Sequence, residues 1–394
     1  MEVSDKILLT FFINNTLVFH TFPSLLYAMS EQELFYVLAL QKVDKIGDII
    51  SKKLITACGS AEAVFTAPSK KITSIAGIGT LLLQKLRDKS IFQLAEAELN
   101  FINRNNISTF SFLCPEYPDR LKHCPDGPVL LFSRGHFNLE RRKVISIVGT
   151  RKITPQGAEI CRKLIHDLVP LDPVIVSGFA YGVDIVAHQA AIENKLQTIA
   201  VVAHGLNQIY PKSHKRYART VEENGAFFTE FWSTSDPDRE NFIKRNRIVA
   251  GISEATIVIE SADKGGSLIT ANMAHGYNRD VFAVPGRPSD IYSQGCNNLI
   301  KSQKANLLTG AADLIYIMNW DLQQPVKPVQ KQLFITLETD EQKIYDYLQH
   351  KGREHIDMIS LECGFPIFRI SPLLLNMELK GVIRPLPGKQ FEIT

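Results

Sequence analysis

The chain has 394 residues, of which 45% are hydrophobic and 22% charged, and this composition is typical of folded globular proteins with two or three domains. A formal net charge of only +3 excludes a basic coat over the whole surface, so any anion binding must come from local clusters of cations. The six scattered cysteines form no Cys-x-x-Cys pair, which argues against a zinc site and indicates reduced thiols in a cytoplasmic protein.

The N-terminal stretch is unlike the rest of the chain. Residues 7–29 carry no charged side chain other than His20 and are about long enough to cross a bilayer, but Asn14 and Asn15 lie in the middle, where polar groups are costly. No signal-peptide cleavage site follows. Ser30 and Glu33 then form a capping-box pattern ahead of an apolar helical stripe. We therefore expect no membrane segment, and we expect residues 1–28 to be a non-native or disordered extension.

Apolar residues recur at helical spacing over residues 29–106, which predicts an all-helical domain of the helix-hairpin-helix or SAM-like kind. Short turns interrupt the pattern at 44–48 and at 75–79. The second turn, "IAGIG", has the form of a helix-hairpin-helix, in which glycines let backbone amides face a phosphate. An ordinary turn between two helices fits the same residues.

Residues 107–320 are expected to form the next domain. It begins with a proline-rich connecting segment at 107–142, in which "VLLF" predicts a short strand, and from Lys143 onward apolar, β-branched runs alternate with amphipathic helical segments. Uninterrupted apolar strands between helices predict a mostly parallel sheet covered on both faces. The expected fold of this region is therefore α/β, a Rossmann-like, doubly wound domain. The predicted strands lie at 144–149, 174–178, 198–205, 226–231, 255–260 and 280–286.

The end of the chain predicts a separate small domain. A segment rich in proline, glutamine and lysine at 321–332 is typical of a linker. Residues 333–394 then predict three helices and a two-strand wing, which is the pattern of a winged helix. Because the third helix offers only Arg369 and Lys380 as cations, the pattern favours a protein contact or support of a dimer over duplex DNA binding.

Functional side chains are expected where the strands end. In an open parallel sheet, ligands bind past the carboxyl ends of the strands. Each predicted strand is followed there by glycines, small hydroxyl residues or cations, which suit phosphate groups because backbone amides and forked guanidinium donors reach them. The segments after the strands include Gly149, Thr150, Arg151, Ser177, Gly178, Gly182, Asp184, His188, Lys212, Lys215, Arg216, Arg219 and Arg239.

A run of cations follows Phe242 directly before the fifth strand. It comprises Lys244, Arg245 and Arg247, with Asn246 among them. Cations beside an aromatic ring suit single-stranded nucleic acid, because the cations follow the backbone and the ring stacks on any base. A core position for Phe242 and a solvated face for the cations are the alternatives.

Other chemistries fit the sequence less well. The first turn is G-T-R-x-x-T-x-x-G, not G-x-G-x-x-G, and neither a nucleotide-binding P-loop nor a G-x-S-x-G nucleophile elbow occurs. Asp184 and His188 lie four residues apart, which suits an acid–imidazole pair. The pattern nevertheless favours structural roles, in which Asp184 caps or closes the glycine loop and His188 orients it. Ser177 and Ser267 are the candidate nucleophiles. We expect no cofactor, no metal and no enzymatic activity.

Eight segments resemble, in order and spacing, the DNA-processing protein A family, also called DprA or Smf. They are "YPDRLKHCPDGPVLLFSRG", "ISIVGTRKITPQG", "VSGFAYGVDIVAHQAAI", "TIAVVAHGLNQIYPKSHK", "FIKRNRIVAGIS", "GGSLITANMA", "VFAVPG" and "GCNNLI". The resemblance implies a cytoplasmic, homodimeric bacterial protein without established catalytic activity. Such proteins bind single-stranded DNA, shield incoming DNA during natural transformation and help load the RecA recombinase.

The resemblance also implies a DNA pocket. One departure is Gly265, because the family usually has Ser-Gly-Ser where this chain has Gly-Gly-Ser, and another is "KSQKAN" at 301–306 in place of the usual Gly-Ala pair. The pocket residues carried over are Gly149, Thr150, Arg151, Ser177, Gly178, Ala180, Gly182, Asp184, Lys212, Phe242, Arg245, Asn246, Arg247, Gly266 and Ser267.

Two other functions remain as alternatives. Phosphoribohydrolases that cleave nucleotides have related sheets, but their P-G-G-x-G-T-x-x-E loop corresponds here to "DKGGSLITANMA", without an acidic residue at the required place. A duplex DNA-binding regulator led by the winged helix is the other alternative, and it predicts that deletion of 333–394 abolishes DNA binding.

Overall fold

A computed structural model of the chain describes residues 29–320 except 76 and 141, residues 337–386, and residues 389–393. The expected extension at 1–28 and the expected linker at 321–332 lie outside these ranges. The chain divides into two compact units, 1–322 and 323–394. The domain boundaries proposed within these units stay predictions.

Six helices open the described chain, as the apolar spacing predicts. The Ser30 hydroxyl accepts the Glu33 N–H at 3.1 Å and so begins the first helix. The Glu33 carboxylate does not close the expected capping box, because it instead accepts the N–H of Ala61 at 2.6 Å, at the start of the third helix. At the second turn, Gly77 has φ of +90°, which favours glycine. The helices are α1 (Glu31–Lys42), α2 (Asp48–Cys58), α3 (Ala61–Thr66), α4 (Ser69–Thr73), α5 (Thr80–Leu86) and α6 (Ser90–Arg104).

A sheet of nine strands forms the centre of the first unit, in the order β1-β2-β6-β5-β4-β3-β7-β8-β9. The first two strands run antiparallel to their neighbours and the other pairs are parallel. The expected mostly parallel, Rossmann-like sheet is thereby confirmed. The strands are β1 (Ser108–Ser111), β2 (Leu130–Gly135), β3 (Val144–Val148), β4 (Val174–Ser177), β5 (Thr198–Val201), β6 (Gly225–Thr229), β7 (Ala255–Val258), β8 (Asp280–Ala283) and β9 (Asn306–Leu307).

Helices cover both faces of this sheet, because its strands are apolar on both sides. One core layer holds residues of the eighth, ninth and fourteenth helices, and the opposite layer holds residues of the eleventh to thirteenth helices. The helices are α7 (Asp119–Lys122), α8 (Pro155–Asp167), α9 (Val183–Glu193), α10 (Lys215–Glu223), α11 (Arg239–Ile252), α12 (Gly266–Gly276), α13 (Gln294–Lys301) and α14 (Ala311–Ile317), with 3-10 helices at Val169–Leu171 and Lys212–His214.

The strand order reverses between β4 and β7, on the two sides of β3. Ligands of doubly wound sheets bind at such a switch point, beyond the carboxyl ends of the strands. Two side-chain caps begin the helices that frame this edge. Thr154 accepts the Gly157 N–H at 3.0 Å at the start of α8, and Asp238 accepts the Asn241 N–H at 2.9 Å at the start of α11.

The six N-terminal helices and the sheet share one hydrophobic core, which includes Leu38 and Trp232. Polar contacts join the same surfaces. Trp232 Nε1 donates to Gln41 Oε1 at 2.9 Å, and the backbone N–H of Ser233 donates to Glu98 Oε1 at 2.8 Å. The helical region is therefore packed firmly against the carboxyl side of β6.

The second unit is a winged helix, as the sequence predicts. Its helices pack around a core that includes Ile344, Ile359 and Ile370. In the described parts of the chain, no single helix is long and apolar enough to cross a membrane, and the one bent pair that passes by composition is broken at 109°. The elements are α15 (Thr339–Lys351), β10 (Glu354–His355), α16 (Ile356–Cys363), α17 (Ile367–Leu379), β11 (Ile383–Leu386) and β12 (Gln390–Ile393), with the strands in the order β10-β12-β11.

Candidate nucleic-acid interface

The loop after β4 is built on glycines that leave no room for a side chain. Gly182 has φ of +77°, and a Cβ there would collide with the carbonyl oxygen of Thr150 and the backbone of Arg151. A Cβ on Gly178 would collide with the Arg245 guanidinium and come within 2.5 Å of Asp184 Oδ2. These glycines therefore bring the first and second strand-end loops and α11 into direct contact.

Glu260, just beyond β7, fixes the turn after β3. Its carbonyl oxygen accepts the Thr150 N–H at 2.7 Å, and its Oε2 accepts the Thr154 N–H at 2.9 Å. Gly157 must lack a side chain because the Glu260 carboxylate occupies that space. The carboxylate thus positions the turn that presents Arg151. Glu260 could not be selected from the sequence alone, because a single acidic residue after a strand gives no signal without its partners.

Arg245 is buried at the carboxyl ends of β4 and β5, with a relative exposure of 3%. Its Nη1 donates to the carbonyl oxygen of Val201 at 2.6 Å. Burial lowers the pKa of Arg245 to about 10, against the opposite effect of Asp184, so the guanidinium stays charged at neutral pH. Burial raises the pKa of Asp184, whose Oδ2 accepts the Ala180 N–H at 3.2 Å, while Arg245 acts in the opposite direction.

Phe242 is half-buried and has an arginine near its ring on two sides. The ring centroid is 5.1 Å from the Arg151 guanidinium carbon and 5.8 Å from that of Arg245. The Tyr210 ring lies 5.8 Å away. Phe242 is therefore not an ordinary core residue. It belongs to a cluster of cations and aromatic rings, in which cation–π attraction holds the exposed Arg151 over the ring.

A small cavity of about 30 Å³ lies at the centre of this cluster, between the ends of β4 and β5. Its volume is a small fraction of that of common small-molecule sites, and only about two waters fit. A nucleobase cannot enter it in this form. Two exposed tyrosines, Tyr181 and Tyr210, stand at its rim. The lining comprises Arg151, Gly178, Phe179, Ala180, Tyr181, Val202, Ala203, His204, Tyr210, Pro211 and Phe242.

The cations of the run after Phe242 do not share one role. Lys244 is exposed and Asn246 half-exposed. Arg247 is buried and turned away from the cavity, where its guanidinium contacts the carboxylates of Glu230 and Asp48. The structure therefore places Arg245 beside Phe242, which lines the cavity, but uses Arg247 to join α11 to α2. The expectation that these arginines are not a simple solvated face agrees with the burial of both.

Both serines predicted for the pocket, Ser177 and Ser267, use their hydroxyls in hydrogen bonds inside the protein. Ser177 is fully buried and donates to the Ile147 carbonyl oxygen at 2.6 Å. Ser267 is also buried and donates to Ser261 Oγ at 2.9 Å, whereas Gly266 faces open space. Neither Gly266 nor Ser267 lines the cavity. Gly149 has a packing role, because a Cβ there would collide with Val183.

Asp184 and His188 do not form a pair. His188 is fully buried, and its Nδ1 lies 2.7 Å from the hydroxyl of Thr198, which itself donates to the Ile175 carbonyl oxygen. His188 Nδ1 must therefore be the donor to Thr198. Burial lowers the pKa of His188 to about 3, so it is neutral at physiological pH. It is a core residue beneath the loop, with its ring centroid 5.7 Å from that of Phe179.

Two regions of the chain match known protein families. Residues 108–319 match the DNA recombination-mediator protein A family, and residues 330–389 match the DprA winged helix domain. The first match covers more than half of the chain. The chain is a member of the DprA family.

Individual members of the family align with this chain over most of their own length. The DNA processing protein DprA of Streptococcus pneumoniae is 38% identical over 57% of this chain and 78% of its own. Protein Smf of a Synechocystis strain is 28% identical over 92% of this chain and 100% of its own. The X-ray structure of the S. pneumoniae protein superimposes with a TM-score of 0.60 and 30% identity, over 73% of this chain and 98% of the other.

The segment "KSQKAN" leads into the last strand of the sheet. Its final residue, Asn306, begins β9, which pairs in parallel with β8. Across the described ranges, no cluster of three or more histidine, cysteine or acidic side chains could hold a metal ion. Aromatic residues of the cavity, Tyr181 and Tyr210 above all, were missed from the sequence because a lone tyrosine in a loop usually carries no functional signal.

Proposed function

We propose that this member of the DprA family binds single-stranded DNA at the carboxyl edge of its sheet, over the small cavity. The observation that carries the proposal is the position of Phe242 beside two arginines, with Arg151 exposed above the ring and Arg245 buried beside it. Exposed cations hold phosphates, and aromatic rings stack on bases of any identity. The S. pneumoniae relative is named a DNA processing protein, which agrees with DNA as the ligand.

The geometry favours a DNA strand that lies across the mouth of the cavity over one that inserts a base into the cavity. A cavity of about 30 Å³ leaves no space for a base, whereas Tyr181 and Tyr210 offer rings at the rim with exposures of 47% and 41%. Arg151 and Lys212 are exposed beside them. We infer that phosphates meet these two cations while bases stack on the rim.

The broader role follows from the family resemblance. We propose a cytoplasmic, homodimeric protein without catalytic activity, which protects incoming single strands and helps load RecA during natural transformation and recombination. The positions of Asp184 and His188 support a binding role, since each forms hydrogen bonds inside the protein, to Ala180 and Thr198.

Fluorescence anisotropy with a labelled single strand and the matching duplex, across a series of salt concentrations, tests the proposal. We expect a preference for the single strand, and log affinity should fall with log salt by about 0.7 per phosphate contacted. Arg151→Ala should reduce both the affinity and the slope, whereas R162A on the outer face of α8 should leave them unchanged. Equal or tighter duplex binding would contradict the proposal, and release of free base from nucleotides would support the enzyme alternative.

A further inference from the structure

A row of exposed cations begins next to the cavity and continues along α10. Lys212 lies in the 3-10 helix that leads into α10. Lys215 and Arg216 follow on α10, and Arg219 lies four and three residues beyond them, so these three side chains lie on one side of the helix. We call these four residues the α10 track. The opposite face of the helix is apolar, with Val221 fully buried and Tyr217 packed against the core.

The α10 track is fixed rigidly to the cavity rim. The buried His214 lies between them, with its Nδ1 3.1 Å from the Phe179 carbonyl oxygen and its ring centroid 4.9 Å from that of Tyr181. The Tyr181 hydroxyl also lies 3.0 Å from the hydroxyl of Ser213. Tyr181 therefore stands between the cavity and the first cations of the track, with half of its surface open to solvent.

The charges of the track are largely free for a ligand. Arg219 at the far end pairs with Glu223 at 2.8 Å, and Glu222 of the same helix pairs with Arg134 of β2. Lys212, Lys215 and Arg216 are exposed, and none of them is among the ion pairs of the described residues. Arg216 is held over the Tyr217 ring at 4.7 Å, which fixes the stem of its side chain.

The length of the track suits a short piece of nucleic-acid backbone. Its ends are seven positions apart in the chain, which corresponds to about 10 Å at 1.5 Å per residue. The phosphates of one strand are spaced about 3.4 Å along the axis of duplex DNA and lie further apart in an extended single strand, so the track spans roughly two or three phosphates. This number agrees with the three cations that have no acidic partner. An acidic protein surface would also need cations, but the tyrosine rim that leads into the track favours a strand with bases.

We propose that a single strand leaving the cavity crosses Tyr181 and continues along the α10 track, so that the DNA footprint is longer than the cavity by two or three nucleotides. The proposal rests on the proposed function and assigns the direction in which the strand continues. It makes Lys215 and Arg216 contacts to the backbone, without any part in the cavity itself.

The test is a length series of oligothymidylates, from about 4 to about 20 nucleotides, measured by anisotropy with wild type and with K215A/R216A. Wild-type affinity should rise with length and then reach a plateau, and in the variant the plateau should come two or three nucleotides earlier. On the longest strand, the variant should lose roughly tenfold in affinity at 0.1 M salt and about 1.4 from the salt slope, 0.7 for each contact. Short strands should bind both proteins equally.

R162A/K163A is the matched control, because it removes the same charge from exposed positions in the second half of α8, away from the carboxyl edge of the sheet. An unchanged plateau length in K215A/R216A would overturn the proposal, as would equal losses in both double variants, which would indicate a general charge effect. Loss of affinity on the shortest strands would overturn it too, because it would put these cations inside the cavity footprint. If wild type bound none of the strands, the proposed function itself would fail.

Discussion

Arg245 donates through Nη1 to the carbonyl oxygen of Val201, 2.6 Å away, at the end of β5. This contact holds a charged group inside the sheet edge, where Asp184 is the acidic residue that acts on it most strongly. Arg245 is 3% exposed and lies beside Phe242, which lines the cavity, whereas Arg151 is exposed to solvent. The site therefore depends on a buried charge that the fold must stabilise before any ligand arrives.

Removal of Arg245 should destabilise the protein strongly. In R245A, Asp184 loses the cation that offsets its burial and the Val201 carbonyl loses its partner, and loss of one partner from a buried charged pair typically costs about 3–5 kcal/mol. R245A/D184N should recover part of that loss, since the buried negative charge is then gone too. Urea unfolding of the three variants measures this coupling. Strictly additive effects of the two substitutions would contradict it.

A second buried pair, Glu230 and Arg247, should make the stability of the folded protein depend on pH. The pKa of Glu230 is raised to about 7, chiefly by burial, although Arg247 contacts the carboxylate and opposes the shift. Asp48 shares the same guanidinium and adds to the rise. Because the folded state holds the proton more tightly than the unfolded state, this contribution to stability is full below about pH 4.5 and is lost as pH rises through about 7.

The variant E230Q isolates this effect. The free energy of unfolding of wild type minus that of E230Q should fall between pH 4.5 and about 7.5, by at most about 3 kcal/mol at 1.36 kcal/mol per pKa unit. Denaturant unfolding at several pH values gives this difference. A difference that rises with pH would show that the attraction of Arg247 outweighs burial and that the pKa of Glu230 is lowered.

The sequence predicts strands β3 to β8 well because these strands are apolar on both faces, which is typical of parallel strands covered by helices. It also predicts the glycine loop, since Gly178 and Gly182 stand at a strand end. The ion pairs of Arg247 could not be predicted, because its partners Asp48 and Glu230 are distant from it in the chain. Helical spacing places a side chain on a face but does not show which carboxylates the fold brings there.

The loop glycines should tolerate no substitution. G182A would place a Cβ at φ of +77° against the Thr150 carbonyl oxygen, and strain of this kind costs about 1–3 kcal/mol. It should lower the melting temperature and weaken single-strand binding, since Arg151 must move. G276A is the matched control, because open space surrounds the exposed Gly276 at the end of α12. Comparable losses in G182A and G276A would refute this interpretation of the loop.

The ring of Phe242 should contribute to DNA affinity through stacking and through its hold on Arg151. Stacking of a base on an aromatic ring is worth about 1–3 kcal/mol, so F242L should lose between about fivefold and 150-fold in single-strand affinity. The salt slope should change little, because no cation is removed. I243A, at the exposed neighbouring position, should bind as wild type does. A full loss of salt dependence in F242L would mean that the ring acts only by positioning the arginines.

Truncation after Trp320 should leave single-strand binding and its salt slope intact. The third helix of the winged helix, α17, exposes Phe368 at 82% and Leu379 at 79%, and its cation Arg369 pairs with Asp340 at 2.5 Å. An apolar face of this kind suits contact with protein and lacks the cations that a duplex backbone needs. Anisotropy with both DNA forms compares the truncated and full chains. Loss of DNA binding on truncation would favour the duplex-binding regulator, because in that function the winged helix, and not the sheet edge, holds the DNA.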